Sequence, residues 1–207
     1  MEIQEGSGDW ARAEPERVEE DNTVLTLADI KRLAEAKLDN ATRNYIAQGA
    51  DQEHTLRENT AAFTRLRFRP KVFVDVSKID TATALLGQRI SFPVGFSPTA
   101  AQMIANRVGE LGTAQAARDA GTVMIVSAMS TVSLEDIRAS APDCLLWQHT
   151  YLFSNRSLTK SIVRRAEQQN IAAIVVTVDS HVDGQAASLS KNQLVLPEGL
   201  RWYGGEA

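Results

Sequence analysis

Hydrophobic positions change their period twice along the chain. From Leu27 they recur at helical spacing through Ile30, Leu33, Ala34 and Leu38, and Thr26 with Asp29 forms a capping box at the start. A second short helix carries Tyr45 and Ile46 and stops at Gly49, and Asp51 is placed to cap a third that runs to about Thr64 through Leu56 and Phe63. The period then drops to two. Leu66, Phe68, Pro70, Val72, Val74 and Val76 alternate with Arg67, Arg69, Lys71, Phe73 and Asp75, which predicts a strand at a sheet edge, where Pro70 is tolerated. Another short strand is expected near Thr83 to Leu86.

From Ile90 onward continuous apolar runs alternate with amphipathic stretches. Phe92 to Phe96, Val123 to Val126, Leu145 to Trp147 and Ile171 to Val178 read as buried strands. Between them lie helices from Val108 to Ala120, from Leu134 to Ala139 behind Ser133, and from Leu158 to Gln168. Strand and helix in regular alternation mean right-handed βαβ units and a parallel sheet, so the fold class is α/β. The divisions this implies are an acidic tail over 1–24, helices and short strands over 25–89, and four β/α units over 90–207.

Composition narrows the partners. The 207 residues are 43% hydrophobic and 23% charged, ordinary for a globular chain. Residues 1–24 carry eight acidic side chains against two basic ones and few large apolar residues, which reads as a solvated tail. The remainder has 18 acidic and 20 basic groups, without the dense basic face that nucleic-acid binding needs. No apolar run reaches the ~18 residues of a membrane span, and the first residues, Met1 to Glu5, lack the apolar core of a secretory signal. The single cysteine, Cys144, excludes an internal disulfide and a multi-cysteine metal site, so no metal is expected.

Each of the four strand runs ends on polar residues: Ser97 and Thr99, Ser127, Gln148, then Thr177 and Asp179. No glycine-rich dinucleotide fingerprint follows the first strand, where Ser97-Pro98-Thr99-Ala100-Ala101 stands instead. Polar groups at the C-terminal ends of parallel strands are the pattern of barrel active sites. A full barrel takes ~250 residues, and only four of its eight strands fit after Ile90.

The motifs themselves resemble a known family. Tyr45-Ile-Ala-Gln-Gly49-Ala50, Thr55 to Asn59, Ala62-Phe63, Phe68-Arg69-Pro70, Phe92-Pro93, Ser97 to Ala100, Gly109-Glu110, Ala116-Ala117, Ala120 to Thr122, the Gln148 strand and Thr177-Val178-Asp179 resemble, in order, FMN-dependent α-hydroxy-acid oxidases and dehydrogenases. The glycolate oxidase and 2-hydroxy-acid oxidase branch is the most similar. The resemblance implies the N-terminal half of an FMN-binding (β/α)8 TIM barrel preceded by short helices and a small β-hairpin. It implies oxidation of an (S)-2-hydroxy acid to a 2-oxo acid, with dioxygen reoxidising the flavin to give hydrogen peroxide.

The resemblance assigns roles residue by residue. Tyr45 matches a tyrosine that contacts the substrate carboxylate. Thr99 and Ala100 match backbone that approaches the flavin ring, and Ser127, Gln148 and Thr177 match side chains that hydrogen-bond its polar atoms. Asp179 matches the aspartate that orients a catalytic histidine. The family places a substrate-contacting tyrosine two residues after its flavin-contacting glutamine, whereas Tyr151 lies three after Gln148. One extra residue turns a side chain to the opposite face unless a bulge absorbs it.

Further departures concern the pocket and the loop after the fourth strand. Ala186 stands where the family has a substrate-binding arginine and His181 where it has a proline, while Met129 falls at a position that shapes the substrate pocket. His54, His149 and His181 are read as surface or packing residues, and Arg164-Arg165 as a solvated pair. The family's flavin-adjacent lysine, base histidine and phosphate site have no counterpart in these 207 residues. The expectation is therefore a chain inactive by itself, which self-associates or docks on full-length subunits. The alternatives are a non-catalytic regulatory partner of a full-length oxidase and, last, two half-barrels pairing into one site. Location is expected to be intracellular, peroxisomal or cytoplasmic; the C-terminal Gly204 to Ala207 is not a Ser-Lys-Leu-type address.

Overall fold

A computed structural model describes residues 24–179, 196–197 and 199–203. The acidic tail before Val24, the 182–187 loop with Ala186, and His181 lie outside the described residues. Three helices open the fold: α1 (Leu27–Lys37), α2 (Asn40–Ala47) and α3 (His54–Arg65). The capping box expected at Thr26 forms, with the Asp29 amide on Thr26 Oγ1 at 3.2 Å and the Thr26 amide on the Asp29 carboxylate at 3.0 Å. Helix α2 is capped by Asp39, whose carboxylate accepts from the amides of Ala41 and Thr42. Helix α3 departs from expectation: Asp51 is not its cap but a turn residue with φ +48°, and Glu53 at φ +58° occupies the N-cap without a side-chain bond. The Glu53 carboxylate instead reaches back to accept from the Gly49 amide at 3.1 Å.

The strand expected over Leu66 to Val76 is not formed. Period-two alternation is only half of a strand, because the backbone also needs a partner to satisfy its amides and carbonyls. Among the described residues none runs beside this segment, and Phe68, Val72, Phe73, Val74 and Val76 all stand exposed. The next apolar stretch does find one: β1 (Thr83–Leu85) pairs antiparallel with β2 (Gln88–Ile90). Leu86 and Gly87 turn between them with φ of +49° and +79°, the left-handed pair that suits the twist of a two-residue hairpin.

Beyond the hairpin, α4 (Gly109–Asp119), α5 (Leu134–Ser140) and α6 (Arg156–Gln168) alternate with β3 (Val123–Val126), β4 (Leu145–Thr150) and β5 (Ile174–Val176). The three strands are parallel and lie in sequence order, β3-β4-β5. The Phe92 to Phe96 run contributes one parallel bridge, Phe96 to Met124, rather than a full strand.

Parity along the strands decides the architecture. Met124, Val126 and Leu146 pack with Ala114 and Ala117 of α4, Leu134 and Ile137 of α5 and Ala166 of α6. The even-numbered side of β3 and β4 is thus the helix side, and all three helices lie on it. Ile125, Trp147 and His149 point the other way, because successive side chains alternate across a strand. Sequential parallel strands with helices on one face are the geometry of a barrel wall; a doubly wound sheet would reverse its strand order and carry helices on both faces. The chain is an arc of such a wall, and the described strands do not close on themselves.

Candidate functional site

The inner face gathers polar groups where the strands end. His149, near the end of β4, is 5% exposed. Its Nδ1 accepts the Ala128 amide at 3.3 Å, and its Nε2 lies 2.7 Å from Thr177 Oγ1. An amide can only donate, so Nδ1 is the bare nitrogen and Nε2 carries the hydrogen given to Thr177. The imidazole is therefore neutral, and its burial pushes its pKa below 6.5. Tyr151 stands edge-on to it at 4.8 Å, with Phe153 next at 5.8 Å from Tyr151. His149, Tyr151 and Thr177 thus share one face.

Gln148 does not share it. Its carboxamide is buried toward the helices, donating to the carbonyls of Val126 (3.3 Å) and His149 (2.8 Å), beside a small cavity that it lines with Ser127, Leu134, Ile162 and Tyr203. Register explains the difference. Gln148, His149 and Thr150 pair with Ile174, Val175 and Val176 without interruption, so no bulge absorbs a residue between Gln148 and Tyr151. Tyr151 faces away from Gln148, as its odd offset requires, and that direction is the inner face. The two-residue spacing expected between the ring-facing side chain and the tyrosine holds from His149 to Tyr151. Of the two readings of His149, burial removes the surface one and leaves a packing residue hydrogen-bonded to Ala128 and Thr177.

Ser127 follows β3 directly and is 6% exposed, its Oγ accepting the Met129 amide at 3.0 Å. The carbonyl of half-buried Met129 in turn accepts the Ala101 amide at 3.0 Å, joining the loop after β3 to the segment that holds Thr99 and Ala100. A buried carboxylate strengthens the joint. Glu110, fully enclosed, accepts the amides of Gln102 (3.2 Å) and Thr131 (2.9 Å) and the Thr131 hydroxyl (2.9 Å). It can reach both because α4 starts tightly: Gly109 has φ +50°, and a Cβ there would stand 2.5 Å from Met103 Cγ.

Thr99 and Ala100 line an open cleft of about 1010 Å³ with Ser97, Phe96, Ile46 and the first turn of α4. Tyr45 is half-buried on α2, immediately before the cleft-lining Ile46. Asp179 is exposed, two residues beyond Thr177 on the same parity. Among the described residues, no group of three or more His, Cys, Asp or Glu could hold a metal ion. Arg165 corrects the reading of a solvated pair: it grips Glu135 of α5 through two bonds of 3.0 and 2.6 Å and also donates to the Tyr203 carbonyl. That hydrogen-bonded grip holds the Glu135 carboxyl below its ordinary pKa.

The donor set suits a planar heteroaromatic ring with polar edges. Hydroxyls at Ser127 and Thr177 and the backbone around Thr99 and Ala100 are neutral and tied in place by other hydrogen bonds. An isoalloxazine presents carbonyl and ring-nitrogen acceptors to such groups. Its polar edge would be served by Ser127 and Thr177, and its face by the small residues at 99–101.

Fold and site together define an α/β chain of barrel-wall type with polar side chains at the strand ends. Residues 34–204 match the model of the FMN-dependent dehydrogenase family. Glycolate oxidase 3 of Arabidopsis thaliana is 39% identical over 177 residues, covering 86% of this chain and 48% of that protein. Peroxisomal (S)-2-hydroxy-acid oxidase GLO4 of Oryza sativa subsp. indica is 38% identical over 178 residues, with the same coverage. The solved structure of mandelate oxidase with (S)-2-phenylpropionate superposes with a TM-score of 0.83 at 32% identity, covering 88% of this chain and 54% of that one. The chain belongs to the FMN-dependent dehydrogenase family, and it spans about half the length of the curated relatives it matches.

Proposed function

We propose that these residues build one wall of the flavin and substrate site of an FMN-dependent (S)-2-hydroxy-acid oxidase. The observation that carries the reading is positional: Ser127, Thr177 and the Thr99–Ala100 backbone each follow the C-terminal end of a parallel strand or bridge of the barrel arc, in a member of this family. In that role Ser127 and Thr177 orient the ring by hydrogen bonding, and the loop from Thr99 to Ala101 lies against its face. Tyr45 and Tyr151 hold the substrate carboxylate, while Asp179 orients a base. Bound FMN would supply the two-electron acceptor for oxidising a 2-hydroxy acid to a 2-oxo acid, and dioxygen would take up the electrons. The resemblance assigns the base to a histidine that is not among these 207 residues, so the polypeptide by itself is proposed to be silent in turnover. The test is an FMN titration of the purified chain by flavin fluorescence, and then a 2-hydroxy-acid oxidation assay. Saturable quenching without peroxide formation is the expected result; absence of binding would overturn the flavin-wall reading, and turnover would overturn the silence.

A second reading draws on the exposed surface. Phe68, Val72, Phe73, Val74, Val76 and Ile79 are largely exposed along one extended segment, a surface suited to another polypeptide. It favours a chain that docks on full-length oxidase subunits, and co-purification with such a subunit is its test.

A further inference from the structure

The polar cluster on the inner face contains a residue that the family pattern does not supply. The ring-facing position of β4 belongs by parity to His149, because Gln148 is turned to the helices and spends its amide on two backbone carbonyls. The imidazole in turn has no donor left over. Ala128 N–H occupies Nδ1, and Nε2–H is directed at Thr177 Oγ1. A hydroxyl that accepts from Nε2–H keeps its own hydrogen for a different acceptor.

We propose that His149 is a positioning residue of the flavin site: it fixes the Thr177 hydroxyl as a donor aimed at an acceptor atom of the ring. The polar chain runs from Ala128 N–H through Nδ1 and Nε2–H to Thr177 Oγ1, and from the Thr177 hydroxyl hydrogen to the flavin. No proton is transferred and no bond is made; the imidazole sets which way the hydroxyl points. The inference rests on the flavin-wall reading above, and extends it by naming the side chain that orients one of its donors. Protonation would reverse the chain at its start. A second N–H at Nδ1 would confront the Ala128 amide, and the loop after β3 would lose its hold on the ring. Among the described residues, the titratable groups on the same face are Tyr151 just after β4 and Asp179 beyond β5; the loop from Ser127 to Met129 brings none.

Two measurements test it on the 207-residue chain. Nitrogen-15 NMR of the imidazole at pH 7.5, without flavin, should show a neutral ring protonated at Nε2. A ring protonated at Nδ1, or a charged one, would overturn the proposal whatever the chain does with flavin. FMN titrations then compare the wild type with His149→Leu, His149→Gln and Thr177→Val. Losing the oriented donor should weaken binding about tenfold in His149→Leu and Thr177→Val, the size of one net hydrogen bond. His149→Gln should recover to within about threefold of wild type, since an amide can also accept from Ala128 and donate to Thr177. Between pH 7.5 and 5.5 the wild type should lose affinity relative to His149→Gln; the flavin phosphate titrates alike in both and cancels. Unchanged affinity in Thr177→Val, or the same pH profile in wild type and His149→Gln, would overturn the inference and leave the flavin wall standing. No binding by the wild type would overturn the wall itself, and this inference with it. Should His149→Leu fail to fold, the Gln and Val variants decide.

Discussion

A single enclosed carboxylate, Glu110, fastens two strand-end loops that no strand joins directly. Its oxygens serve two backbone amides and a hydroxyl in a space closed to solvent. Glu110→Ala would leave those donors buried and unmatched, each costing about 1–3 kcal/mol. Because the loops can relax toward solvent, we expect a total near ~3 kcal/mol, read as a lower urea midpoint, with Glu110→Gln losing less. An unchanged midpoint in the alanine variant would show the loops held by other means. His149 makes a second residue-level prediction. Burial lowers its folded pKa below 6.5, so its neutral form contributes stability that is complete above 6.5 and is lost as pH falls through the folded value. The urea midpoint should drop between pH 7 and 5.5 in wild type and drop less in His149→Gln. The aspartates whose pKa is lowered by hydrogen bonding, Asp29, Asp39 and Asp75, start from 3.8 and titrate below this window. Ser127, Thr177 and the Thr99 segment were legible because polar residues after apolar runs mark strand ends. The face on which each side chain falls was not, since it depends on register, and register is set by pairing with β5 rather than by any local residue.

At the scale of elements, local signals succeeded where a partner or cap lay within a few residues. The Thr26–Asp29 box and the Ser133 cap of α5 formed as read, the latter with the Asp136 amide on Ser133 Oγ at 3.1 Å. Helix α3 and the Leu66–Val76 segment differ because their outcome depends on groups elsewhere. Glu53 is drawn back to the Gly49 amide, and the alternating run finds no strand to pair with among the described residues. The start of α4 joins local and distant constraints. Gly109→Ala must place a Cβ at positive φ, 2.5 Å from Met103 Cγ and 3.3 Å from the Met103 amide nitrogen. We expect a loss of about 1–3 kcal/mol, from φ strain and crowding together. The displaced Glu110 should also loosen the 99–103 segment, so hydrogen exchange should quicken at Gln102 and Thr131 beyond what global stability explains. Uniform quickening across the fold would argue for simple destabilisation.

For the molecule as a whole, the arc geometry sets a colloidal prediction. On the helix side of β5, Ile174 and Val176 are each more than a third exposed and Val178 more so, whereas Met124, Val126 and Leu146 of the neighbouring strands are almost fully covered by helices. Among the described residues, no strand pairs with the free edge of β5. A parallel sheet owes its stability to cover on both faces, and an apolar edge left open recruits other chains. The 66–79 segment adds Phe68 and Phe73, both fully exposed. The 207-residue polypeptide is therefore expected to self-associate at micromolar concentration, seen as a mass above 22.6 kDa in light scattering behind a sizing column. Two sets of substitutions separate the surfaces responsible. Val176→Lys with Val178→Lys places charge on the open strand, and Phe68→Glu with Phe73→Glu places it on the extended segment; neither pair removes a buried contact of the main core. If the β5 edge drives association, the lysine pair should return the mass toward monomer with little change in thermal midpoint, and the glutamate pair should leave it high. The reverse outcome would assign association to the 66–79 segment and strengthen the docking reading. A wild-type chain that runs as a monodisperse, cooperatively melting monomer would count against both surfaces as drivers of association.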